Sequence, residues 1–530
     1  MLSDDRERKR NGGTMMIQVQ AAGWLGLASL CSVVAQEISL LPASGEESAA
    51  VDFAKVKALA AERALRPFVK RRSDWPAYWN DLTAHDYEKI KVRAEKAWWH
   101  EEKLPFALGF LHPGGAYRET TSLAEIVEGH AHELEWKADF FDYEALTIPN
   151  DTQAPPGYAG FKVLMPLLNA DSLDAWTIFE ATNLFRCVAP GLEFGVSSRG
   201  VAINPADPAL EETAIWQRFW FEKPAVTAKA LQFFTLLDSP SVCGAYRFRI
   251  TPGRSTVMEV EAELTFRQSV TLAGLAPLSS MCWFSELTQP KPQDYRPEVH
   301  HSDGLLIQQG DGEVLWQPLD SGKSLRHSEF AADTLLGFGL IQRDRLFGNY
   351  QDLSSRFHER PSAYIEPVGT WPPGKLHLFE QPATDAHAEN VLACWEPTTP
   401  PKVGQPFSLG YRIHWLNEMS VPGLCKVLAS RRSQTTFTAD EQRPNIVQFY
   451  VDYSQSAKII EDAMPVVLTV DVSEGVKLLD KQVEKNPDTG GWRGIFRVQV
   501  PLSVESFTSN CRLLAEGRPI SERWTYQWKR

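Results

Sequence analysis

Tyr246-Arg-Phe-Arg-Ile250 and Glu259-Val-Glu-Ala-Glu-Leu-Thr-Phe266 alternate apolar with charged or polar side chains. Successive side chains on a strand point to opposite faces, so this pattern sets one face against a core and the other in water. Similar short runs lie on both sides: Gly160-Phe-Lys-Val-Leu164, Phe194-Gly-Val-Ser-Ser198 and Thr256-Val-Met-Glu-Val260. Gly, Pro, Asn and Asp separate them. No long helical period recurs after about Leu104, so the chain reads as all-β with a helical prologue. One helix is expected over 51–70. A second is expected over 84–98, where Thr83 and Asp86 form a capping box and Tyr87, Ile90, Ala94 and Ala97 share a face.

The segment Glu396-Pro-Thr-Thr-Pro-Pro-Lys-Val-Gly404 favours an extended spacer, read as a linker at 397–406. Beyond it come Phe407-Ser-Leu-Gly-Tyr-Arg-Ile413, Asn445-Ile-Val-Gln-Phe-Tyr-Val451, Val466-Val-Leu-Thr-Val470 and Phe496-Arg-Val-Gln-Val500. They fit a small immunoglobulin-like β-sandwich over 407–530. A large β-domain is expected over 51–396.

With 530 residues the chain can bury two or more cores. A formal net charge of −13 argues against nucleic acid, which needs a basic surface to neutralise phosphate. Seventeen tryptophans suit core anchoring and, at some positions, stacking on sugar faces. Arg6-Glu-Arg-Lys-Arg10, the apolar stretch Ala21 to Ala35 and Val33-Val-Ala35 read as a signal peptide over 1–35, with Met15 or Met16 as alternative starts. Residues 36–50 read as a flexible mature N-terminus. The six cysteines after residue 35 show neither CxxC nor zinc spacing, leaving buried thiols and unassigned disulfides both open.

Chemistry-bearing residues concentrate between Asp294 and Pro397. Tyr295-Arg-Pro-Glu-Val-His-His-Ser-Asp-Gly-Leu305, Gly337-Phe-Gly-Leu-Ile-Gln-Arg-Asp-Arg345, Arg360-Pro-Ser-Ala-Tyr-Ile-Glu-Pro367 and Glu389-Asn390 mix acids, bases and aromatics. Glycoside hydrolysis needs two proton-exchanging groups across a sugar bond. Glu298, Asp303, Asp344, Glu366 and Glu389 are the candidate carboxylates. Arg343, Asp344, Arg345 and Arg360 could bind sugar hydroxyls or form structural ion pairs. Tyr246, Trp316, Tyr364 and Trp283 could stack on sugar rings, with core packing the stronger reading for Trp283. There is no P-loop and no dinucleotide fingerprint, and Gly195-Val-Ser-Ser-Arg-Gly200 has the wrong spacing for a nucleophile elbow. His130-Ala-His132 and His300-His301 lack a third ligand nearby, so no metal site is expected. No cofactor is expected either.

An ordered set of segments resembles the periplasmic osmoregulated glucan biosynthesis proteins of the G and D types. It runs through Ala94-Glu-Lys-Ala-Trp-Trp-His100, Ser198-Arg-Gly200, Leu236-Leu-Asp-Ser239, Gly244-Ala-Tyr246, Arg296-Pro-Glu-Val-His300, Ser302-Asp-Gly304, Gly337-Phe-Gly-Leu340, Gln342-Arg-Asp-Arg345, Arg360-Pro-Ser362, Asn390 and Trp524-Thr-Tyr526. The resemblance implies a large mutarotase-like β-sandwich followed by an immunoglobulin-like domain. It further implies a periplasmic protein acting on linear β-1,2-glucan, beside a membrane glucosyltransferase, as an inverting glucanase or transglycosylase. It places the general acid at Glu389, where the family has Asp, and the general base at His301, again in place of Asp. Asp303 stays in place as organiser or substitute base. Leu184 and Phe194 stand where D-type members are expected to carry tyrosines. The changed pair leaves three readings open: an enzyme, a non-catalytic glucan-binding or assembly factor, and a protein for another carbohydrate.

Overall fold

The computed structural model describes residues 50–70, 76–143, 146–149, 152–155, 157–167, 172–207, 209–288, 294–435, 445–455 and 464–530. The expected signal peptide and nearly all of the expected flexible terminus lie outside them. Among the described residues the chain is all-β, with two large sheets and one of four strands carrying most of it. No described helix is long and apolar enough to cross a membrane.

The deciding stretch folds as its alternation dictates. Val242–Thr251 pairs antiparallel with Thr256–Phe266, and Tyr246, Phe248, Ile250, Val260, Ala262 and Leu264 are buried. The outward charges meet across the strands, Arg247 on Glu261 and Arg249 on Glu259 at 3.5 Å. These strands sit within a 15-stranded sheet. A ten-stranded sheet packs against it. Phe161, Phe179 and Phe185 stack in a row on the ten-stranded sheet, with centroids 5.2 and 4.8 Å apart. Phe219, Phe233 and Phe248 from the large sheet meet that row largely edge-on. Truncating one such ring to Ala costs roughly 3–5 kcal/mol.

The large sheet also serves the C-terminal sandwich. Val314–Pro318 pairs in parallel with Arg523–Lys529, which continues through Ser506–Ala515 to Val466–Val472. A four-stranded sheet covers this end, and Phe449 and Phe496 pack on Trp524. The proline-rich segment at 397–406 leads into Pro406–Leu416. That strand lies between Thr256–Phe266 and Ser362–Pro367, inside the large sheet.

The first helix is Phe53–Ala64, shorter than expected. Asp52 caps it by accepting from the Lys55 amide at 2.8 Å, and it stops short of Pro67, whose ring disfavours helix in the preceding residue. The second expected helix is a single turn, Ala84–Tyr87. Its cap is as read, with Thr83 Oγ1 accepting from the Asp86 amide at 3.1 Å. Beyond the turn, Lys91–Val92 pairs with Phe141–Asp142 and Trp98 bridges to Leu108, so strand pairing overrides helix propensity. The six cysteines after residue 35 are free and buried.

Candidate functional site

Three neighbouring strands of the ten-stranded sheet, Ser197–Arg199, Ala273–Ser280 and Val391–Pro397, converge at one end. Glu389 lies just before the third. Its carboxylate accepts from Ser197 Oγ at 3.0 Å and pairs with Arg186 at 3.6 Å. Arg186 is shared with Glu180 at 3.1 Å. Burial raises the Glu180 pKa, Arg186 opposes this, and the charge of Glu389 adds to it. Tyr87 and Tyr117 stack at 4.9 Å nearby, and the charges of Glu180 and Arg186 both act on Tyr117.

Asn390 fixes this carboxylate relative to the opposite flank. Its amide accepts from the Cys282 N–H at 2.8 Å and donates to the Cys282 carbonyl at 2.9 Å and the Gln381 carbonyl at 2.7 Å. Cys282 is the register partner of His300, and the His301 amide donates to the Met281 carbonyl at 2.8 Å. Asn390 therefore ties the Glu389 loop to the strand pair that ends just before His301.

His301 is half-buried, and its Nδ1 has no hydrogen-bond partner in the protein. Burial, then the charges of Arg360 and Arg186, hold its pKa well below the ordinary histidine value. The ring is therefore neutral and keeps a free lone pair. Arg186 thus reaches both flanks, pairing with Glu389 and acting on His301.

Asp303 is engaged differently. Its Oδ2 accepts from the amides of Arg343 and of Asp344, the latter at 3.0 Å, and its Oδ1 lies 3.6 Å from His300 Nε2. His300 also contacts Glu298 at 2.9 Å. Burial lowers the His300 pKa, but Asp303 and Glu298 together carry it above the ordinary value. Burial and the neighbouring carboxylates push Asp344 up strongly, so it holds a proton beside Asp303. Donor atoms of Glu298, His300, Asp303 and Asp344 lie within 4.8 Å of one another, a spacing that a shared proton or a divalent cation satisfies.

The remaining sequence candidates are placed elsewhere. Arg343 is bidentate on Glu522 at 2.7 and 2.8 Å, lies 3.4 Å over Trp316 and has a side chain only 3% exposed, joining the two sandwiches. Arg345 donates to the Arg360 and Asn417 carbonyls. Arg360 donates to the carbonyls of Phe194 and Ser355, yet its charge still acts on His301. Glu366 is held by His414 at 2.7 Å. Tyr246, Trp316 and Tyr364 are buried, Tyr246 donating to the Gly200 carbonyl at 2.8 Å and Tyr364 to Gln308, so they offer no ring face to a ligand. Leu184 and Phe194 are half-buried. Gly304 of the Ser-Asp-Gly run is a packing residue, because a Cβ there would strike the Trp316 ring.

Sequence reasoning missed Glu180, Arg186, Ser197 and the Tyr87–Tyr117 pair. Ser197 stood in a run rejected as a nucleophile elbow. Glu180 and Arg186 lie on a hairpin whose register, Ile178 opposite Arg186, no local pattern announces.

A family model described as periplasmic glucan biosynthesis protein, MdoG, matches residues 51–528. Relatives named glucans biosynthesis protein G align over most of the chain. That of Ralstonia nicotianae is 37% identical over 492 residues, covering 91% of this chain and 97% of its own. That of Pseudomonas aeruginosa PAO1 is 35% identical over 485 residues, covering 89% and 91%. That of Pectobacterium atrosepticum is 33% identical over 522 residues, covering 96% and 97%.

Proposed function

The chain belongs to the periplasmic glucan biosynthesis protein family, and from that premise we propose that it cleaves or rearranges linear β-1,2-glucan in the periplasm as an inverting glucanase or transglycosylase. The observation that carries this reading is the Glu389 carboxyl, seated on Ser197 and Arg186 and tied through Asn390 to the strand pair that ends just before His301. Glu389 protonates the leaving glycosidic oxygen. Neutral His301 takes a proton from the attacking water, directly or through a sugar hydroxyl. Asp303, with Oδ2 committed to two backbone amides, orders the 301–303 turn. Transfer to a sugar hydroxyl in place of water gives the transglycosylase outcome. The signal peptide read at 1–35 exports the chain to where a membrane glucosyltransferase delivers the backbone.

A second reading is favoured by His301 itself. An imidazole held neutral well below its ordinary pKa is a weak base. A protein with that base could hold the glucan for assembly without cleaving it. Incubating purified protein with linear β-1,2-glucan and sizing the chains separates the two. Shortened or rearranged chains, with an inverted anomer in the first product by NMR, support the enzyme. Unchanged chains bound by the protein support the assembly factor.

A further inference from the structure

The edge of the ten-stranded sheet carries a constellation that the glucan chemistry does not use. Arg326–Ala332 is the edge strand, pairing with Gly374–Glu380, which pairs in turn with Val391–Pro397. Register sets Glu329 opposite His377 and Lys375 opposite Glu396. His327 and Glu329, two apart, share a face, so His327, Glu329, His377 and Glu396 all project from one side of the sheet.

The side chains converge. His327 Nε2 lies 3.0 Å from His377 Nδ1 and 3.9 Å from Glu329 Oε1. One donor atom from each of the three lies within 4.8 Å of the others. The other nitrogen of His377, Nε2, lies 3.1 Å from Glu396 Oε2. An ionised carboxylate only accepts, so His377 carries its proton on Nε2 and presents the Nδ1 lone pair to His327. A carboxylate holding the far nitrogen of a histidine is the arrangement that orients and strengthens a metal-ligating imidazole. Phe379 stacks on His327 at 4.3 Å and backs both imidazoles, limiting their rotation. His377 is buried, His327 half-buried and Glu329 exposed, so an ion has an entry side.

We propose that His327 Nε2, His377 Nδ1 and Glu329 form a zinc-class divalent metal site, with Glu396 orienting His377 and water completing the coordination. Two imidazoles and one carboxylate with an open fourth position suit zinc at about 2.0–2.2 Å per bond. Binding takes the Nε2 position from the proton that His327 otherwise donates to His377, which moves to His327 Nδ1, and frees Glu329 from Lys375, now 2.9 Å away. The two histidines lie 50 residues apart, so no sequence spacing signals the site. The ion would bridge the edge strand to its neighbour.

The test is calorimetric titration of zinc into untagged, chelator-stripped full-length protein, repeated for His377→Ala, His327→Ala with Glu329→Gln, and Glu396→Gln. One tight equivalent is expected in wild type, lost about 100-fold in the first two variants. Glu396→Gln weakens it roughly 10-fold or more. Zinc at 100 times its Kd raises the wild-type Tm by roughly 3 °C. The half-open His327/Glu329 double variant keeps the test valid if His377→Ala misfolds. No zinc binding tighter than about 0.1 mM, or equal binding by wild type and the double variant, overturns the proposal, since structural zinc sites bind far more tightly.

Discussion

Glu389 and Asp303 are two candidate carboxylates, and their surroundings differ. Glu389 rests on a hydroxyl and a shared guanidinium, with about a fifth of its side chain open. Asp303 is built into a turn by two backbone amides and shares a proton-holding cluster with His300 and Asp344. A carboxyl that must give up a proton needs access and few fixed partners. One that shapes a turn needs the reverse. On the proposed reading, Glu389 is the acid, while the proposed base is a neutral imidazole next to a structural aspartate.

The largest expected effect is at Glu389. Glu389→Gln should lower activity on linear β-1,2-glucan by about 10²–10⁴-fold with Tm unchanged, measured by reducing-end release and thermal melting. Asp303→Ala should do the opposite. It orphans two backbone amides, so a loss of roughly 2–4 kcal/mol in denaturant titrations is expected, larger than any change in glucan affinity. Activity lost without stability in that variant would break the distinction. A third test uses His112, whose carbonyl accepts from the Tyr87 hydroxyl at 2.6 Å, as a probe of pH-dependent stability. His112 is buried and its pKa is pushed down to about 4, chiefly by desolvation. The unfolded chain then binds a proton between pH 6.5 and 4 that the folded chain does not, so stability falls as pH drops through that window. The loss approaches roughly 3 kcal/mol by pH 4. His112→Asn should flatten that slope in melts at pH 7 and pH 5. The smallest effect is at Ser197. Ser197→Ala removes one hydrogen bond from Glu389 and should cut activity by about 3- to 10-fold.

The strands were legible because alternation is a one-dimensional signal, as the Arg247–Glu261 and Arg249–Glu259 pairs show. The helix expected over 84–98 was not, because Lys91–Val92 finds a strand partner some fifty residues away. Glu389, Asn390, His301 and Asp303 were legible as ordered motifs. Arg343 stood in an equally good motif but is sealed between Trp316 and Glu522, since spacing does not report burial. Glu180 and Arg186 are ordinary residues on an ordinary hairpin. Only the folded register brings them to Glu389.

The proposed function stands on Glu389 acting as a catalytic acid. Wild type and Glu389→Gln should be given the same linear β-1,2-glucan, with binding and chain length measured on one sample. Equal binding, with chains shortened or rearranged by wild type alone, is the predicted result. Equal binding with neither protein altering the chains would contradict it and leave a glucan-holding protein in its place.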